Sequence, residues 1–233
     1  MSVIYNGYRE VLIMKSDVKD EKKFADGLSF NKLVWIFIIS CIAGYIVEEV
    51  WCLIKLGYFE SRHSLIYGPL SVVYGMGAVV LTAALYKFRN SKIPIIFIVA
   101  FVVGTVTEYI ASLGQEIVFG SVAWDYSNVP LNINGRVCLL YSLFWGVLGV
   151  VWIKLIYPLM SKLIEKIPFK IGTILTNAFI VFFVFDCIIS ASAALRMDNR
   201  DAGIPAQNVV EEFLDEHYTD ERMHQIYANS KDV

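Results

Sequence analysis

The chain has 233 residues, 57% of them hydrophobic and 18% charged, with a formal net charge of -2 and a mean hydropathy of +0.57. Ordinary soluble domains are about half apolar and a quarter charged, so this composition argues against a globule surrounded by water. With near-zero net charge and no basic stripe carrying interleaved aromatics, it also argues against a nucleic-acid-binding surface.

Residues 1–32 form an amphipathic, charged segment containing Arg9, Lys15, Lys19, Lys22, Lys23 and Lys32. A cleaved signal peptide needs an unbroken apolar stretch that this segment lacks, so the membrane address is expected in the spans themselves. A span takes about 20 apolar residues, because the hydrocarbon core is about 30 Å thick and a helix rises about 1.5 Å per residue. Segments 33–54, 65–86, 93–119, 137–159 and 171–195 meet that length. Lipid cannot satisfy unpaired backbone groups, so each should be helical. The expected fold is all-α: a polytopic membrane helical bundle of about five transmembrane helices over residues 33–195, with an extracytoplasmic tail at 196–233.

The connections after the second and fourth segments are short and basic, with Lys87, Arg89 and Lys92 in one and Lys162, Lys166 and Lys170 in the other. The positive-inside rule places these and the N-terminus in the cytoplasm and the C-terminus outside. Lys154 can snorkel to the same face. The opposite side carries Lys55 and Arg62, then Arg136 in a long loop, then Arg196, Arg200, Arg222 and Lys231 in the tail. That loop holds Trp124, Asp125, Tyr126, Pro130, Asn132, Asn134 and Gly135, which combines turn chemistry with interfacial aromatics. The tail turns at Gly203-Ile204-Pro205. Its stripes Val209, Val210, Phe213, Leu214 and Met223, Ile226, Tyr227 predict short amphipathic helices, forming either a solvated cap or a docking face. Cys41, Cys52, Cys138 and Cys187 all lie in apolar segments without metal-ligand spacing and read as small buried hydrophobes. Neither a metal nor a cofactor is expected.

Glu48, Glu108 and Asp186 fall about 15 residues into parallel segments, hence about 22–24 Å from the cytoplasmic face at about 1.5 Å per residue. Glu49 and Glu116 lie at or beyond that depth. An intramembrane carboxylate costs several kcal/mol unless it is neutral, paired or facing water. Arg62 and Arg136 are expected to reach down to these acids. Two readings stay open: an ion-pair network that fixes helix register, and an outward-facing polar cavity for a small polar or ionic substrate.

The first two segments echo the next two. Gly44-x-x-x-Glu48 matches Gly104-x-x-x-Glu108, and Arg62-x-x-Leu65-Ile66-Tyr67 with Gly75 matches Arg136-x-x-Leu139-Leu140-Tyr141 with Gly149. Both copies start and finish on the same side, which predicts a parallel internal repeat of two-helix units about an axis along the membrane normal. Gly68, Gly75, Gly77, Gly146 and Gly149 would let helix backbones approach closely. Pro69 is compatible with a first helical turn.

Several stretches are similar to the ABC-transporter type IV family, small bacterial membrane proteins also called CmpB-like permeases. They are Gly44-Tyr-x-x-Glu48, Ser61-Arg-His-Ser-Leu-Ile-Tyr-Gly-Pro69 with Val73-Tyr-Gly-Met-Gly77, Glu108-Tyr109 and Trp124-Asp-Tyr126. The longest is Asn132-Ile-Asn-Gly-Arg-Val-Cys-Leu-Leu-Tyr-Ser-Leu-Phe-Trp-Gly146, and Phe213-Leu-Asp-Glu-His-Tyr with Asp220-Glu-Arg-Met resembles family tails. Two positions depart from the pattern: Ser64 stands where Gly is expected and Val72 where Pro is common. The resemblance implies a permease in the bacterial plasma membrane. The chain has no Walker A loop and no Walker B acid, so a separate ATPase chain would drive it. Five spans are few for a complete permease, which implies an oligomer in membrane lipid.

The candidate binding set is Glu48, Glu108 and Asp186 along a polar path, Arg62 and Arg136 at its mouth, and Tyr67, Tyr141, Asn134, Trp124 and Asp125 around it. No catalytic role is expected: no G-x-S-x-G nucleophile appears, and His63 is the only histidine outside the tail. The alternative is a non-catalytic scaffold or sensor docking partners through the outer loop and tail. A lipid-modifying enzyme built on acid, Arg and Tyr groups is less favoured.

Overall fold

The structure, a computed structural model, describes residues 24–119, 122 and 124–228. The expectations for residues 1–23 and for Lys231 lie outside the described residues.

Helix α1 spans Phe30–Leu56. The Ser29 side chain accepts from the Lys32 amide at its start, and Gly57, at φ 82, donates its amide to Leu53 O at its end. Only glycine takes that left-handed backbone without strain. Helix α2 runs Val72–Leu85 and closes in a 3-10 turn, Tyr86–Phe88. It therefore begins seven residues later than the sequence predicts, because Gly68 is left-handed (φ 80) and Pro69 disfavours helix in the residue before it. Pro69 thus precedes the helix instead of sitting in its first turn.

Residues 64–71 form a loop closed by Ser64 N to Leu70 O (3.0 Å) and Ser71 N to Cys41 O (3.1 Å). The two departures from the family pattern meet here, since the Val72 amide donates to Ser64 Oγ at 3.1 Å. A proline at 72 would have no amide to give and a glycine at 64 no hydroxyl to receive it. Ser64 and Val72 together supply one hydrogen bond.

Helix α3 is Ile93–Phe119. The loop after it ends in a small antiparallel ladder, β1 Asn132–Ile133 with β2 Val137–Cys138, paired Asn132↔Cys138 and Ile133↔Val137. Helix α4, Leu139–Val151, passes through a π-helical turn, Trp152–Ile156, into α5, Tyr157–Ile164. Pro158 has no amide for the Lys154 carbonyl, and the turn before it widens so that Tyr157 N reaches Trp152 O. Helix α6 is Phe169–Asp201, and the tail folds into α7, Val209–His217, and α8, Asp220–Ile226. Asn208 and Thr219 cap the two tail helices.

Among the described residues, four helices are long and apolar enough to cross a bilayer: Phe30–Leu56, Ile93–Ile117, Leu139–Ile164 and Phe169–Asp201. The shorter apolar helix Val72–Phe88 has 17 residues and covers about 26 Å. Helix α1 packs on α2, α3 on α4 and α2 on α3, while α6 rests more lightly on α1 and carries α7 and α8. A core of Ile36, Leu81, Leu85, Ile96, Trp152 and Ile164 fills the end nearest the start of α1. Lys32, 1% exposed, is satisfied there by Ser161 Oγ at 2.6 Å and by an ion pair to Glu165, which ties α1 to the end of α5. Elsewhere Val47, Ile98, Val106, Val147, Val181 and Ile188 are exposed, as suits an all-α bundle solvated by lipid instead of water.

Candidate functional site

Each helix pair holds its glutamate by the same contact. Gly44 on α1 lies under the Tyr74 ring of α2, where a Cβ would collide, and Tyr74 donates its hydroxyl to Glu48 Oε1 at 2.5 Å. Gly104 on α3 lies under the Trp145 indole of α4, and Trp145 donates Nε1–H to Glu108 Oε2 at 3.1 Å. The next glycine on each partner helix, Gly75 or Gly146, packs on a phenylalanine seven residues before the first glycine, Phe37 or Phe97. These contacts match Tyr74 with Trp145, 71 residues on, whereas the Arg62/Arg136 motif has an offset of 74. Contact register and motif register thus differ by three residues, nearly one helical turn.

Arg136 meets Glu116, and neither arginine forms an ion pair with Glu48, Glu108 or Asp186. Arg136 pairs with Glu116, donates to Ser112 Oγ at 3.2 Å and lies 5.9 Å from the Tyr109 ring centroid. Glu116 is eight residues beyond Glu108, about 12 Å nearer the helix end, so the guanidinium stays at the rim. Arg62 pairs with Glu60 at 2.8 Å, and its Nε donates to Cys52 Sγ at 2.8 Å. Cys52 is therefore an acceptor as well as a buried apolar group.

Eight of the ten candidate residues separate into three groups, and Glu48 with Arg62 stands apart on the first helix pair. Trp124, Asp125, Asn134 and Arg136 come together with Ser112 and Glu116 around a cavity of about 200 Å³ beside the loop that joins α3 to α4. Trp124 Nε1 donates to Arg136 O (2.9 Å) and Asn134 Nδ2 to the Tyr109 hydroxyl (2.9 Å). The Ser127 hydroxyl (2.5 Å) and amide (2.8 Å) both bind Asp125 Oδ1 and hold its carboxyl below the usual carboxylate value. Gly135, at φ 67, leaves the space that Asp125 and Ser127 occupy.

The second group is Glu108 with Tyr141. Tyr126 donates to Glu108 Oε1 at 2.9 Å and stacks on Tyr141, with ring centroids 4.6 Å apart. Burial first, and then the carboxylate, push the Tyr126 hydroxyl well above its ordinary value. Glu48 occupies the equivalent place beside Tyr74.

The third group is Asp186 with Tyr67. Asp186 is fully buried, and its Oδ1 accepts from Tyr67 N (3.1 Å) and Ser190 Oγ (3.2 Å). Ser190 also receives the Ile66 amide at 2.9 Å, and the Tyr67 hydroxyl meets that of Tyr218 at 2.7 Å. Burial and that bond raise the Tyr218 hydroxyl to about 12. His63 Nε2 bonds the Tyr45 hydroxyl at 3.3 Å. Among the described residues, His63 Nδ1 and Asp186 Oδ2 are the buried side-chain polar atoms without a partner.

Sequence reasoning passed over His63, Ser190 and Tyr218. Ser190 carried a usable signal, one helical turn after Asp186 on the same face. The other two are brought in by the loop and tail, which no local spacing announces.

The tail forms a folded cap on α6. Arg196, 3% exposed, grips Asp215 through two bonds of 2.8 Å, and Arg200 binds Asp215 at 2.6 Å and Asp220 at 2.5 Å. Leu214 and Met223 are buried beneath it, whereas Val209, Val210 and Phe213 of the first predicted stripe remain exposed.

Neither a curated protein nor a solved structure matches the chain. The family model described as putative ABC-transporter type IV matches residues 35–191, two thirds of the length and all of the helix pairs above, so this multi-pass membrane protein belongs to that family.

Proposed function

We propose that the chain is the membrane-spanning permease component of a bacterial ABC-type transport system, with ATP hydrolysis supplied by a separate chain. In this reading the cavity beside the outer loop receives a small polar solute from the extracytoplasmic side. The observation that supports it is the convergence of Ser112, Glu116, Trp124, Asp125, Asn134 and Arg136 on one cavity, in a bundle otherwise sheathed in apolar side chains. A volume of about 200 Å³ equals some six or seven water molecules at about 30 Å³ each. The lining offers both charge signs, which suits a zwitterion or a small ion carrying its hydration water. Glu48 and Glu108 serve as polar contacts between helices and Asp186 as one between α6 and the 64–71 loop, and the repeated Gly-aromatic-Glu contact supports a parallel duplication of the helix pair.

Purification from the native membrane in mild detergent tests this. The expected result is a complex with vanadate-sensitive ATP hydrolysis, in which Arg136→Gln uncouples solute uptake from hydrolysis. A lone, monodisperse homo-oligomer without ATPase overturns it. A scaffold or sensor role is favoured by one observation, the exposed Val209, Val210 and Phe213 on α7. The same purification would then yield a partner that hydrolyses no ATP.

A further inference from the structure

At the end of the bundle away from Arg136, the residues that join α2 to α3 face the π-helical turn across a cavity of about 470 Å³. Arg89, Asn90, Lys154, Ser161 and Lys162 supply its polar lining, above a floor of the buried Ile153 and Tyr157. No Asp or Glu lines it. The nearest acid in sequence, Glu165, is bound to Lys32 and to the Ser161 hydroxyl. The cavity is therefore a concentration of positive charge.

The π-helical turn carries Lys154 to this place. Lys154 Nζ donates to Arg89 O at 2.8 Å and Ser91 O at 3.2 Å. Arg89 Nη1 donates to Tyr86 O at 2.8 Å, and its guanidinium lies 4.2 Å from the Tyr86 ring centroid. An ammonium has three donors and a guanidinium five, so both retain N–H groups for a ligand. Lys162 is exposed at the rim.

A second feature identifies the ligand. Leu155, Leu159 and Leu163 are 62%, 63% and 62% exposed and each follows one residue after Lys154, Pro158 or Lys162. Spacing by four stacks each set in a row along the helix, so an exposed apolar row runs beside the basic one. A free phosphate would use only the basic row. A phospholipid uses both, headgroup on one and acyl chain on the other.

We propose that this groove is a binding site for an anionic phospholipid, with Arg89, Lys154 and Lys162 holding the phosphate-bearing headgroup and Leu155, Leu159 and Leu163 the acyl chain. Basic pockets between membrane helices recognise such headgroups by charge and hydrogen bonding. The site stands whether or not the chain moves a solute.

Native mass spectrometry of the full chain in mild detergent, titrated with phosphatidylglycerol or phosphatidylcholine, tests it. The wild type should retain phosphatidylglycerol in preference. Each cation removed should weaken that affinity about fivefold, so Lys162→Gln loses about fivefold and Arg89→Gln/Lys162→Gln about 25-fold. Lys166→Gln, exposed at the same end but outside the lining, removes the same charge and should change nothing. Leu159→Ser should weaken the lipid while leaving any binding of inorganic phosphate unchanged. Equal retention of the two lipids overturns the proposal, as does a Lys166→Gln loss equal to that of Lys162→Gln. Phosphate binding combined with indifference of the lipid to Leu159→Ser would identify a free-anion site and overturn it too. Should the double variant misfold, the exposed Lys162→Gln alone carries the comparison.

Discussion

The helix pairs α1–α2 and α3–α4 make one contact twice and then diverge at the connections between their helices. After α1 the chain turns inward: Leu65, Ile66 and Leu70 are buried, and the amides of Ile66 and Tyr67 are taken by Ser190 and Asp186 of α6. In the connection between α3 and α4, Leu131 is 73% and Ile133 57% exposed. There it satisfies itself, through Tyr126 N to Gly135 O (2.7 Å) and Asn132 Nδ2 to Val129 O (2.8 Å). Buried backbone must find partners somewhere. Where α6 offers side chains, the connection becomes part of the core. Where no third helix stands, the connection folds on itself and leaves a polar cavity at its base. The glycine–aromatic–glutamate contact fixes a helix pair, and a separate element decides whether the pair is closed or open at the top.

The sharpest way to break that comparison is Asp186→Ala. It strands the Tyr67 amide, whose acceptor is a side chain with no exposure, and takes one partner from the Ser190 hydroxyl, at about 3 kcal/mol given about 1–3 for a buried group left unsatisfied. Unfolding in detergent should show it, and Asp186→Asn, which keeps an acceptor oxygen, should lose clearly less. An unchanged unfolding midpoint in the alanine variant would mean that α6 does not close the first connection. Next in size are Gly44→Ala and Gly104→Ala, each of which drives a Cβ into Tyr74 or Trp145. Overpacking costs about 1–3 kcal/mol, and the two losses should agree if the helix pairs are held alike. A large loss in one and none in the other would break the equivalence.

Much of this was legible in the sequence because hydropathy and glycine spacing report directly on helices and their close contacts. Gly44 with Glu48 and Gly104 with Glu108 mark the interfaces where they occur. The partner aromatics were not legible. A tyrosine and a tryptophan do the same work at an offset three residues from the Arg motif, and matching letters cannot see shared function in unlike side chains. The late start of α2 follows from Gly68 and Pro69, local signals outweighed by the apolar run in which they sit. Arg136 meets Glu116 and not Glu108 because both partners lie at the rim, where an ion pair forms without descending into lipid. The closing of the first connection by α6 and the tail joins residues more than 100 positions apart, as in Tyr67 with Asp186 and Tyr218, beyond the reach of any periodicity.

The roof over the first connection provides a milder test through acid. Bonding to Arg196 and then Arg200 holds Asp215 below its ordinary carboxylate value. A carboxyl lowered by folding stabilises fully above its unfolded value, about 3.9, and loses that contribution as the pH falls through the folded value. A spin label at the exposed Val209 should therefore be ordered at pH 6 and gain mobility below about pH 4. Asp215→Asn should be mobile at both pH values, and a label that stays ordered in that variant would show that the Arg200–Asp220 pair, the Tyr67–Tyr218 bond and the packing of Leu214 and Met223 hold the tail without Asp215.

The smallest effect belongs to the open connection. Glu116 is 50% exposed where it pairs with Arg136, whereas Glu60 and Arg62 are each less than a quarter exposed. Solvent screens the first pair more than the second. Glu116→Gln should therefore leave the thermal midpoint in detergent where it was, since Arg136 keeps Ser112 Oγ and the Tyr109 ring. Glu60→Gln should lower the midpoint measurably. If Glu116→Gln were as damaging as Gly104→Ala, the loop over α3 and α4 would be a brace for the helix pair, and the cavity beneath it a by-product of packing with no claim to be a binding site.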